Sequence, residues 1–314
     1  MHAAELPFGG GVSLKFTHRP KGQSTVEYVL IIAIVVLVVL IAGPQVSSAI
    51  RNQFNKTTEA IDSGTTGENF FDPVDLPDPN KGTAFAVYSD DDNSLMFYKR
   101  RGVPNVGDMF NYRRVTEVYT GFETARYSVH ATNDTEAYNW TCESLPWWKR
   151  RTLIQSVDVV DAGISPSSIC GWFMRMPALK TADLSNLDCS RVDTAWCAFL
   201  HCPSLATLKS PKYFHPIDLR DFVYRCVNLK ELDASGWDLS RCRLISWAFA
   251  NCSSLKVIHG TENWNVKALE NADGAFAYSP FLKLDCSCWE VDDTASREEV
   301  NTFSPGVILP KTWQ

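Results

Sequence analysis

The chain lacks the spacings that announce chemistry. None of its ten cysteines forms a CxxC pair, and Cys286-Ser287-Cys288 alone lacks the further ligands a zinc site needs. No nucleophile elbow, paired metal ligand or phosphate loop occurs, and the six histidines are scattered. The expectation is no enzyme, no metal and no cofactor. A surplus of positive charge is also missing: the formal net charge is −6, which argues against a nucleic-acid partner. Charged residues make up only 21% of the 314, while Trp, Phe and Tyr number 10, 17 and 10, so there is ample apolar material for a core.

Long apolar runs are lacking too, with one exception. Val26 to Val46 carries a single charge, Glu27, and its length suits a helix that crosses a bilayer. Lys15, Arg19 and Lys21 precede it, an asymmetry that keeps the leader inside and sends the rest outward. The expectation is a single-pass cell-membrane protein, held through residues 26–46, with its C-terminal part extracellular. Simple secretion is disfavoured, because a signal peptide has a shorter apolar region.

Gly22, then Gln23-Ser-Thr-Val, then Glu27-Tyr28 and the apolar run form a recognisable order. It resembles the Flp/Fap type IVb pilins of Tad secretion systems over roughly residues 15–60. The resemblance implies cleavage by a prepilin peptidase between Gly22 and Gln23. Glu27, with Tyr28 beside it, then becomes an assembly residue, and other pilin subunits become partners. Physically, the cut creates an ammonium on Gln23, and a neighbouring helix's Glu27 can offset its desolvation. The rival is a plain anchor that serves an envelope scaffold protein without pilus assembly.

From Asp62 to Gly82, glycines, prolines and acids mark a linker. AFAVYSDDDNSLMFYKR then reads as strand, polar turn, strand, and RRVTEVYTGFE and TLIQSVDVVDAGISP add further strands. Trp147-Trp148-Lys149-Arg150-Arg151 reads as a turn whose tryptophans cover the end of a solenoid.

The C-terminal part of the chain repeats. Aligning F-x-x-C-x-x-L places Leu179, Leu205, Leu229, Leu255 and Leu282 in one register, 26, 24, 26 and 27 residues apart. Cys202, Cys226 and Cys252 share one position and are expected as a structural ladder of buried thiols. Cys286 and Cys288 lie beyond it and are free to pair with Cys242 or another cysteine. The L-x-x-L-D run reads as a strand and the W/F-x-F-x-x-C segment as a short helix or turn behind it. Pro211, His215 and Pro216 replace the strand-to-tryptophan segment of the second unit, which is expected to loop out.

LKELDASGWDLS, Leu229 to Ser240, is the copy that most resembles the repeats of BspA-like leucine-rich repeat surface proteins. That implies surface display and a host or matrix protein, or a glycan, as partner. The expected fold class is α+β: a leader (1–22), an apolar pilin-like helix (23–61), a linker (62–82), a small β region (83–150) and a leucine-rich-repeat solenoid of short strands and helices (151–314). The expected function is a minor pilin-like subunit displaying an adhesion domain.

Overall fold

The structure, a computed structural model, describes residues 82–131 and 140–314. Its strands are β1 (Thr83–Ser89), β2 (Ser94–Arg100), β3 (Met109–Phe110), β4 (Arg113–Arg114), β5 (Glu117–Thr120), β6 (His130–Ala131) and β7 (Trp140–Thr141). The series continues with β8 (Ser156–Val159), β9 (Thr181–Asp183), β10 (Thr207–Lys209), β11 (Glu231–Asp233), β12 (Val257–His259), β13 (Leu284–Asp285) and β14 (Val307–Ile308).

The hairpin β1–β2 forms because two apolar-aromatic runs flank Asp90-Asp91-Asp92-Asn93, and Asn93 takes the left-handed φ of 55° that the turn needs. The three aspartates are held by protein donors: Thr116 Oγ1 on Asp90, the Arg114 N–H on Asp91, and the Ser94 N–H and Arg113 on Asp92. β2 then pairs in parallel with β8, and β8 with β9, so one six-stranded sheet runs β10-β9-β8-β2-β1-β5. Hairpin and repeats therefore share a sheet and a core.

From β8 onward the chain is a β-solenoid. Each coil adds one short parallel strand. It turns at an apolar corner, makes a single parallel bridge along the column Ser168–Thr194–Asp218–Leu244–Asn271–Ser296, and returns through a run of turns. Leu179, Leu205, Leu229, Leu255 and Leu282 are fully buried in one column. Trp147 closes the N-terminal end: its indole N–H donates to Trp172 O at 2.6 Å, and its ring meets Phe97, Phe122 and Trp172 edge to face.

The expected fold class is corrected. The segment behind each strand is not a helix. In Asp221–Arg225 the amides of Asp221, Val223 and Arg225 donate to the next coil, at Ser246, Ala248 and Ala250, whereas those of Phe222 and Tyr224 turn back three residues. An α-helix needs every amide for its own i−4 carbonyl; here alternate amides point sideways. Two residues per coil consequently sit at left-handed φ, four apart: Cys197 and His201, Asp221 and Arg225, Trp247 and Asn251. The described residues hold only strands and short 3-10 turns.

The membrane and pilin expectations are corrected with the fold class. No helix among the described residues is long and apolar enough to cross a membrane. The expected single-pass anchor, extracellular placement and pilus incorporation have no support there. The segments that prompted them, the leader (1–22), the helix (23–61) with Gly22, Gln23, Glu27 and Tyr28, and most of the linker, lie outside the described residues.

The second unit does not loop out. Phe214 is buried and bridges to Trp237, filling the corner position that Leu187 holds before it and Trp264 and Trp289 after it. Its ring lies 5.1 Å from that of Trp237, edge to face. Pro211 and Pro216 are tolerated because this corner donates no ladder bonds at those residues.

Candidate functional site

Inside the solenoid the cysteine ladder is structural. Cys202, Cys226 and Cys252 are fully buried, and their thiols donate to the carbonyls of Phe173, Phe199 and Val223 at 3.0, 3.2 and 3.2 Å. Ser279 and Ser304 continue the column and do the same to Phe249 and Phe276. Burial pushes the Cys226 thiol well above its ordinary range and Cys252 up to about 12. These sulfurs are donors, held far from reactivity. All ten cysteines are free thiols, so Cys242, Cys286 and Cys288 pair with nothing, and Cys288 alone is exposed.

Outside, three surfaces differ. On the sheet face, pairing breaks between β10 and β11, leaving a groove of about 460 Å³ lined by Thr207, Leu208, Glu231, Asp233 and His259. His259 Nε2 stands 3.4 Å from Glu231 Oε2, and Ser210 Oγ closes part of the gap by donating to Asp233 O. The groove is open and holds no arrangement of nucleophile and base. No cluster of three or more His, Cys, Asp or Glu suited to a metal exists among the described residues.

The corner after β9, β11 and β13 is acidic. Asp183, Asp188, Asp233, Asp238 and Asp285 each accept the amide of a serine two residues on. These Asp-x-Ser turns reverse the chain at strand ends and corners. The Ser235 side chain and amide hold Asp233 below the usual carboxylate range.

The opposite corner, where the run of turns meets the next strand, contains no acid at all. It comprises residues 175–180, 201–206, 225–230, 251–256 and 278–283 in successive coils. Four residues before the buried leucine stand Arg175, His201 and Arg225; one residue after it stand Lys180, Lys230, Lys256 and Lys283. The four lysines are exposed, and none forms an ion pair among the described residues. Lys180 donates to Gln155 Oε1 at 3.0 Å and Arg175 to Trp140 O at 3.2 Å. Burial, together with the charges of Arg225 and Arg175, lowers the His201 pKa. At the far end the corner turns aromatic: the rings of Tyr278 and Phe303 meet at a tilt, centroids 5.2 Å apart, and Phe281 is 63% exposed.

Sequence reading located the leucines and cysteines of this register but passed over the cations beside them. The signal was present as a basic residue, three others, leucine and lysine, in Arg175–Lys180 and Arg225–Lys230.

No protein-family model, no curated protein and no solved structure matches the chain. The functional reading rests on the surface itself.

Proposed function

We propose that the chain is a recognition module. A rigid solenoid holds an extended surface against a protein or glycan partner and performs no chemistry of its own. The observation that carries this is charge segregation: an acid-free basic corner runs the length of five coils in a chain of net charge −6. Solubility requires no such sorting, since mixed charge serves it equally well. Interior columns keep one chemical character from coil to coil, apolar at the leucines and corners and a small donor at Cys202 to Ser304, as a scaffold demands. On the sheet face an outward position varies: Thr181, Thr207, Glu231 and Val257 occupy the same place on successive strands.

The test is a panel of purified matrix proteins and neutral and acidic glycans presented to the immobilised full chain. At least one saturable ligand is expected, with binding lost in Lys230→Glu/Lys256→Glu while the melting temperature is unchanged. A panel with no ligand, or with ligands indifferent to this variant, contradicts the reading.

A further inference from the structure

Resting on the recognition reading, we infer that the basic corner binds an acidic polysaccharide, laid along the solenoid axis with roughly one anionic group per coil. Successive coils of a parallel ladder rise by about 4.8 Å, so the five coils, four of which carry a lysine at this corner, spread its cations along roughly 19 Å. Each row is one or two side chains wide. Arg175 with Lys180 and Arg225 with Lys230 make two-sided rows, Lys256 and Lys283 make one-sided rows, and His201 stands alone in its row. A single extended chain fits a strip this narrow.

The spacing selects among single chains. In an extended peptide, side chains on one face recur at about 6.7 Å, twice the rise per residue, and fall out of step with the coils by about 2 Å per row. Single-stranded nucleic acid is gripped by aromatic rings interleaved with its cations. Here the rings of Tyr278, Phe281 and Phe303 are gathered at one end instead. A sugar ring in an extended polysaccharide advances by a distance close to the coil rise, so one charge per ring meets one row per coil. The end rings then offer flat apolar surface to the C–H faces of sugars. Arginine suits either sulfate or carboxylate, since its planar fork bonds two oxygens at once.

His201 gives this reading a built-in reporter. The charges that act on it are the two flanking arginines, and no carboxylate faces it. An anion laid across the row would reverse that field and raise its pKa.

The experiment uses the full chain with dextran sulfate and polygalacturonate as the two acidic probes. Neutral dextran, poly-glutamate and an oligodeoxythymidine serve as comparators. The expected result is salt-sensitive binding of at least one acidic polysaccharide, tighter than to poly-glutamate or the oligonucleotide, with none to neutral dextran. Dextran sulfate alone would assign sulfate as the group recognised, and polygalacturonate alone would assign carboxylate. Arg175→Glu/Lys230→Glu/Lys256→Glu should weaken binding by roughly tenfold or more. Lys209→Glu/Lys267→Glu, whose lysines pair with Asp183 and Glu290, should bind as the unaltered chain does. His201 C–H resonances should titrate at higher pH in the complex. Binding of neither polysaccharide, tightest binding to a comparator, or equal loss in both variants overturns the inference. If the panel above still yields a protein ligand sensitive to Lys230→Glu/Lys256→Glu, the recognition reading survives and only the ligand class falls.

Discussion

Cys226 is a useful place to ask what a repeat position requires. Its thiol satisfies the buried carbonyl of Phe199, and serine does the same for that column at positions 279 and 304. The position selects a small donor, and leaving a buried carbonyl without one costs about 1–3 kcal/mol. Cys226→Ala should therefore lose about 2 kcal/mol of unfolding free energy in urea, and Cys226→Ser distinctly less. Equal losses would show that the hydrogen bond is unimportant. In the native chain only Cys288 should react with iodoacetamide, with the buried thiols following after denaturation; mass spectrometry reads both. Asp221 and His201 make opposite contributions to stability against pH. Burial pushes Asp221 up to about 6 from 3.8, against the hydrogen bond from Trp196 Nε1. Its folded state binds a proton more tightly than its unfolded state, so stability present below pH 3.8 is lost as pH rises through 6. Asp221→Asn keeps an acceptor for Trp196. It should raise stability at pH 7 by on the order of 2 kcal/mol and flatten the curve between those values. His201, with its pKa lowered from 6.5, loses stability as pH falls below that value. His201→Asn should remove that acid-side loss, and asparagine already occupies the equivalent left-handed position at residue 251.

At the level of the element, the run of turns behind each strand defines the fold. Its alternate amides bond sideways, which requires a left-handed residue at every fourth position. Most of these are not glycine: arginine, histidine, aspartate, tryptophan and tyrosine all adopt it, because the lateral bonds over-determine the conformation. Gly274 is a glycine for an additional reason, since a Cβ there would meet the Trp247 ring at 2.7 Å. Gly274→Ala should cost about 1–2 kcal/mol for the left-handed φ, and more for the displaced indole. A chemical-denaturation midpoint indistinguishable from the native one would contradict this. The same feature explains what the sequence could and could not disclose. The leucine register, the cysteine column, the Asp90–Asn93 hairpin turn and the Trp147 cap were legible because burial leaves period and polarity in the residues themselves. The turns were read as a short helix or turn because F-x-x-C-x-x-L places apolar residues three apart, close to one helical turn. Only the left-handed positions distinguish the two, and non-glycine side chains give no sign of them. Phe214 was obscured by its flanking prolines, although its ring fills the tryptophan position.

At the scale of the molecule, charge is sorted across the solenoid's section. Asp-x-Ser turns gather acids at the corner following β9, β11 and β13, where they fold the chain, and at the corner preceding the strands Lys230, Lys256 and Lys283 stand exposed and outside the described ion pairs. Surface ion pairs add little to stability, so the basic corner is not explained by folding. A ligand of opposite charge gives it a purpose, and the coil rise gives that ligand its period. The most direct measurement is lysine footprinting of the full chain by limited acetylation, with and without dextran sulfate, read by mass spectrometry. The account predicts that Lys180, Lys230, Lys256 and Lys283 are protected together by the polymer, while Lys212 and Lys311 react as before. Protection spread evenly over all exposed lysines, or absent from the four at the corner, would contradict it.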